Sequence, residues 1–221
     1  MTKQGAKQQD PQRAHDYMLV LGALSVAFAE VERAPRYPNG DRETDVEHSF
    51  HLAVSAMELA ADFYPELDIG LIAQFSLVHD LPEVYAGDVW TFSITDEARA
   101  KKEADEAKAT ERLLKELPPY MAQLLQRYEE QVEPEARFVR FVDKLLPAII
   151  NIMAGDANTF KQDYNLDSIE ELLSSREGHR QELLTKFPEF DVIHLVKDLL
   201  FDSSSKYVYS DDAYVNIFKK K

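Results

Sequence analysis

Apolar residues recur along most of the chain at the three-to-four-residue spacing of helices, and proline and glycine cut the pattern into segments. From Asp16 to Glu32, the residues Met18, Leu19, Leu21, Leu24, Val26, Phe28 and Val31 form a broad stripe and predict a first helix. Pro35, Pro38, Asn39 and Gly40 mark a loop. Thr44 and Asp45 are candidate caps for a helix to about Tyr64, with Phe50, Ala53, Val54 and Met57 facing inward, and Pro65 closes it. Asp68 to Asp80 is apolar nearly all round, which is the pattern of a buried helix. Pro82 opens a short new element and Gly87 breaks it. Thr95 to Leu117 carries only a thin stripe among its charges (Ala98, Ala107, Leu113, Leu114, Leu117), so it predicts a solvated helix lying on the domain. Pro118 and Pro119 precede a shorter helix over Met121–Gln131. After Pro134, the run from Phe138 to Ile150 is a second strongly buried segment, and Leu166–Phe187 and Phe190–Phe201 read as two closing helices. The predicted fold class is all-α, a compact bundle.

The pattern divides the chain into a flexible N-terminal extension (1–15), one domain (16–202) and a polar C-terminal tail (203–221). Aromatic residues in that tail make it a candidate docked arm or oligomer contact. A chain of 221 residues with 45% hydrophobic content fits a single domain able to fold without a staple. No stretch reaches the ~18 apolar residues of a membrane span. Met1–Arg13 has no apolar core of a secretory signal, so a cytoplasmic location is expected. The net charge of −15 argues against nucleic-acid polymers and anionic membranes as partners, but not against a small anion in the local field of a cleft. The absence of cysteine excludes disulfides, thiolate zinc sites and cysteine nucleophiles.

The chemistry must then come from histidine and carboxylates. His79 and Asp80 end a buried apolar helix, Asp143 interrupts another apolar run, and His48 stands near the start of a third helix. Charges in such places are paired or bound to a metal. For Asp143 the competing reading is an ion pair with Arg140 or Lys144. Two imidazoles and two carboxylates suit a hard or borderline divalent ion (Mn, Co, Fe, Mg or Zn).

The spaced constellation resembles the HD-domain phosphohydrolase superfamily, whose signature is H…HD…D on helices. Thr-Asp-Val-Glu-His-Ser (44–49), His-Asp-Leu-Pro-Glu-Val-Tyr-Ala-Gly-Asp (79–88) and Phe-Val-Asp-Lys-Leu (141–145) are similar to the strings of its 5′-deoxynucleotidase branch. The resemblance implies a helical HD domain with the metal between three helices. It makes His48, His79, Asp80 and Asp143 the ligands of one divalent ion, and Glu83 and Asp88 the catalytic acids. Arg33 is implied as the phosphate grip, and a homodimer as the assembly. Lys144, beside Asp143, is a second candidate phosphate contact, and Thr91 matches a threonine of the branch, with Trp90 in place of its proline. Ala34 stands where the branch carries tryptophan, and Trp90, Tyr85 and Tyr37 are the aromatic candidates to replace it. Spacing adds that Glu83, one turn after His79, can face the same cavity, and that Gly87 lets Asp88 turn toward it. His51, at i+3 from His48, reads as a supporting or core histidine.

The expected activity is metal-dependent hydrolysis of a deoxyribonucleoside 5′-monophosphate. The alternatives are an HD-type hydrolase of nucleoside triphosphates or (p)ppGpp-like alarmones, and an HD module that binds a ligand without turnover.

Overall fold

The computed structural model describes residues 10–89, 96–154 and 169–208. Ten helices and one two-stranded ribbon are found among them. The helix α1 (Pro11–Ala29) starts earlier than the apolar stripe predicts. Asp10 accepts from the Arg13 amide at 3.1 Å, and Pro11 fills the first helical turn, where no backbone donor is needed. The stripe of α1 is less buried than its length suggests. Phe28 is buried and Leu24 packs partly on the core, while Met18, Leu19 and Val26 are exposed.

The segment read as a loop is a hairpin. Strand β1 (Glu32–Arg36) pairs antiparallel with β2 (Arg42–Thr44). Its turn is closed by the Tyr37 amide on Asp41 O and the Gly40 amide on Tyr37 O, both at 2.9 Å, with Gly40 at φ 92°. The ribbon leads directly into α2 (Asp45–Phe63). There Thr44 and Glu47 form a reciprocal capping box: the Thr44 hydroxyl accepts the Glu47 amide and the Glu47 carboxylate accepts the Thr44 amide.

The inward face of α2 matches the sequence expectation at Ala53, which is buried, and Met57, which packs on the core, and differs at Phe50 and Val54. His48, Leu52, Ala56 and Ala60, each four residues after the last, are all fully enclosed, whereas Phe50 is 68% exposed and Val54 is also outside. The small side chains of Ala56 and Ala60 let α3 (Ile69–Val78) lie close along this stripe. An Asp68 cap starts α3, and Ile72, Phe75 and Val78 are fully buried on it. The short α4 (Glu83–Ala86) ends at Gly87, whose φ of 73° turns the chain. The charged helix α5 (Asp96–Glu116) lies on α4 and α6 and buries Ala109 and Leu113, as expected of a helix on the domain surface.

Helix α6 (Pro119–Glu130) packs on α3, and α7 (Pro134–Asp143) packs on both α2 and α3. The segment predicted as one buried run is two helices, because α7 stops at Asp143 and α8 (Leu146–Ala154) begins three residues later. Pro147 explains the break. In a continuous helix it would lack the N–H needed by the Asp143 carbonyl and its ring would strike that carbonyl. Helices α9 (Ile169–Lys186) and α10 (Asp191–Val208) close the fold, with α10 against α8. Tyr64, Phe138 and Phe190 meet edge-on at 5.2–5.6 Å between ring centres, and Phe141 stacks on Phe187 at 5.1 Å. This aromatic cluster and the α2–α3–α7 core form one apolar body. The charged residues of interest gather at one end of it.

Candidate metal centre

The helix ends and the ribbon bring the candidate residues together. His48 comes from the first turn of α2, His79 and Asp80 follow the last turn of α3, and Asp143 is the last residue of α7. One ligand atom from each of these four lies within 4.8 Å of all the others, so the set could hold a metal ion. Asp143 Oδ1 is 2.9 Å from His48 Nε2 and 4.0 Å from His79 Nε2. Asp80 Oδ2 is 2.9 Å from His79 Nε2 and 3.9 Å from His48 Nε2.

The donor chemistry fits a cation at this point. His79 Nδ1 lies 2.9 Å from the Ser76 carbonyl oxygen, an acceptor only, so Nδ1 carries the hydrogen and Nε2 presents its lone pair. That Nε2 has no hydrogen-bond donor to serve it, and it faces carboxylate oxygens. A lone pair against carboxylates in a buried place is stabilised by a cation between them. The edge of the Tyr128 ring, 6.2 Å away, walls the far side of His79.

Arg33, on β1, is the site's own positive charge. Its Nη1 donates to Asp80 Oδ2 at 2.7 Å and to Asp45 Oδ1 at 3.1 Å, and lies 3.8 Å from Glu83 Oε2. Its Nε is 3.7 Å from Glu43 Oε2. Burial pushes the guanidinium pKa down, but Asp80, Asp88, Asp143 and Glu83 outweigh it and raise it well above the usual value. Arg36, three residues along the same strand, donates to the Gly40 carbonyl in the hairpin turn.

Electrostatics divide the acids into two groups. Burial pushes Asp80 and Asp143 up, yet their neighbours hold both below the usual carboxylate range: His79 and Arg33 for Asp80, Lys144 and His48 for Asp143. Lys144 donates to Asp143 Oδ2 at 2.7 Å, so the competing ion-pair reading of Asp143 is realised with Lys144. Arg140 reaches Glu129 instead. Both oxygens of Asp143 are thereby engaged, one by Lys144 and one toward the histidines.

The second group is shifted upward. Burial, then the charges of Asp80, Asp88 and Asp45, push Glu83 up to about 11 against the pull of Arg33. Burial raises the half-buried Asp88, within the fields of Arg33 and Asp80, and raises Asp45 to about 6. Glu83 and Asp88 thus lie in the same electrostatic neighbourhood as the four candidate ligands. Burial and Arg33 push His48 down, but Asp143 and Glu43 hold it up at about 9.

Other sequence candidates lie elsewhere. Thr91 and Trp90 fall outside the described residues. Tyr85 turns to α5, where its hydroxyl donates to Glu116 and the Arg112 guanidinium covers its ring at 3.7 Å. His51 is half-buried and outside the converging set; burial lowers its pKa. Sequence reasoning missed Glu43 and Asp45, both fully buried against Arg33. Nothing in the polar run from Arg42 to Asp45 marks either of them in the sequence, and the burial of Glu43 follows from the pairing of β2 with β1.

Among the described residues no helix is long and apolar enough to cross a membrane. The chain is similar to a protein named 5′-deoxynucleotidase HDDC2 from Homo sapiens, 31% identical over 122 residues, which is 52% of this chain and 58% of that protein. The Mus musculus protein of the same name is 30% identical over 52% of this chain and 60% of its own length. The chain therefore matches less than two thirds of either relative. In structure it is similar to a protein from Magnetospirillum magnetotacticum described as a metal-dependent phosphohydrolase, with a TM-score of 0.68, 25% identity, and coverage of 92% of this chain and 98% of the other. Residues 29–184 match the HD domain family, the span that carries Arg33, His48, the His79-Asp80 pair and Asp143, and the chain belongs to that family.

Proposed function

We propose that the protein is a metal-dependent phosphohydrolase that removes phosphate from deoxyribonucleoside 5′-monophosphates. The observation that carries the reading is the meeting of His48 Nε2, His79 Nε2, Asp80 and Asp143 with an arginine at their edge. In this reading those four residues hold one divalent ion. Such an ion supplies Lewis-acid polarisation of a phosphoryl oxygen and a lowered pKa for water. The likeness to the HDDC2 proteins supports a deoxynucleotide as the substrate class.

The chain's own residues then divide the work. Arg33 offers its guanidinium to the phosphate from the Asp80 side, and Lys144 offers its half-exposed ammonium from the Asp143 side. Thr91 is carried over as a further substrate contact. Glu83, whose pKa burial and the neighbouring carboxylates raise, is suited to giving a proton to the leaving 5′ oxygen, and Asp88 to orienting water. A second copy of the chain is the proposed partner, supported by the exposed Met18, Leu19 and Val26 on α1.

A panel of nucleoside mono-, di- and triphosphates assayed with Mn, Co, Fe, Mg and Zn tests the substrate. Free phosphate and nucleoside from deoxynucleoside monophosphates is the expected result. Release of pyrophosphate or tripolyphosphate would move the reading to an HD triphosphohydrolase or alarmone hydrolase. Bound metal with no turnover of any nucleotide would move it to a binding module.

A further inference from the structure

Glu43 is the middle residue of β2 and is completely enclosed, yet neither of its carboxylate oxygens has a hydrogen-bond partner. A buried carboxylate without partners is expensive and calls for a physical reason. Two other atoms nearby are orphaned in the same way, His48 Nδ1 and Arg33 Nε. Arg33 Nε is a donor, His48 Nδ1 is one in the tautomer that leaves Nε2 bare, and both lie near the same oxygen: Glu43 Oε2 is 3.5 Å from His48 Nδ1 and 3.7 Å from Arg33 Nε. Three buried polar atoms, each without a hydrogen-bond partner, therefore lie together.

The second histidine shows what such a contact does. His79 is oriented from behind by the Ser76 carbonyl on its Nδ1, which leaves Nε2 to the centre. His48 has no backbone carbonyl in that place. It has Glu43.

We propose that Glu43 is a positioning residue: its carboxylate takes the Nδ1–H of His48, fixing the tautomer that presents Nε2 to the metal centre, and at the same time holds the Arg33 guanidinium by its Nε. Backing carboxylates of this kind orient ligand imidazoles and raise their basicity. The placement is rigid, since β2 is locked to β1 by the Arg42 bond to the Arg33 carbonyl at 3.1 Å, and the next residue caps α2. Glu43 thereby links the metal side of the site to the phosphate side.

The inference rests on the metal-centre reading, so the test separates the two. Mn²⁺ affinity is measured by counting free ion in wild type, His48→Ala and Glu43→Gln, with circular dichroism and thermal unfolding as checks on the fold. The expected result is tight binding in wild type, loss in His48→Ala, and a weakening of roughly 10–100-fold in Glu43→Gln at retained fold. Wild-type affinity in Glu43→Gln would overturn the role of Glu43 and leave the centre standing. No binding in the wild type, or unchanged binding in His48→Ala, would overturn the centre and Glu43 with it. Should Glu43→Gln not fold, ¹⁵N spectra of the wild-type histidines with Zn²⁺ decide: Nδ1 protonated and Nε2 ligated on His48 is expected, and a hydrogen on Nε2 with Nδ1 ligated would overturn it.

Discussion

The apolar body and the charged centre are built from the same three helices, α2, α3 and α7, and they obey opposite rules. Along the helices, Leu52, Ile72, Phe75, Phe138 and Phe141 are enclosed by non-directional contacts whose value scales with area. At their ends, His48, the His79-Asp80 pair and Asp143 are enclosed by partners at defined distances and angles. The body stabilises the fold and has no chemistry. The centre crowds Asp45, Asp80, Glu83 and Asp88 around one arginine, a costly arrangement that the body must hold in place. The two regions should therefore come apart under mutation.

The largest separation is expected from Asp143→Asn. It should fold, lose metal binding by more than the roughly 10–100-fold of a supporting residue, and bring metal-dependent turnover of a deoxynucleoside monophosphate to background. Metal titration and phosphate release check it. The converse is Phe138→Ala, which opens a cavity beside Tyr64 and Phe190. It should cost about 3–5 kcal/mol in denaturant unfolding while the folded molecules keep wild-type metal affinity.

A third variant reads the electrostatic cost of the centre. The folded protein holds Glu83 at about 11, above the value of 4.5 it takes when unfolded. The folded state therefore binds one more proton than the unfolded state between those values, and stability from this group is full below about pH 4.5 and is lost as pH rises toward 11. Glu83→Gln removes this slope. In the presence of a chelator its unfolding free energy should gain on the wild type by about 1.4 kcal/mol per pH unit at most across that window, and the two should converge near pH 4. A gap that widens toward acid would contradict the assignment.

The smallest effect concerns the surface. With a net charge of −15, an anionic substrate of the proposed kind would meet a local positive edge at Arg33 and Lys144. Raising salt to cut the Debye length from about 10 Å to about 3 Å should change KM on the order of twofold or less, or lower it. A steep rise in KM would point to long-range attraction instead.

The sequence made the helix-borne half of the centre legible because its residues interrupt apolar runs. His79-Asp80 and Asp143 stand out where leucine or valine would continue the pattern. Glu43 and Asp45 did not stand out. They lie in the polar stretch from Asn39 to Glu47, where charge is the expectation for a solvated loop, and only the pairing of β1 with β2 encloses them. Two positions on α2 depart from the apolar pattern for a related reason. Phe50 and Val54 are apolar, but the phase of the helix is set by His48, whose polar side chain must reach the centre, and Leu52, Ala56 and Ala60 follow it inward. The break between α7 and α8 was readable at Pro147, which frees Asp143 from the middle of a helix and leaves it at an end.

The central claim is that His48, His79, Asp80 and Asp143 hold a divalent ion. Crystals grown with Mn²⁺ and measured at a wavelength where manganese scatters anomalously test it most directly. The account predicts one strong anomalous peak per chain between Nε2 of His48, Nε2 of His79 and the carboxylates of Asp80 and Asp143. No peak there, or a peak held by other residues, would contradict it.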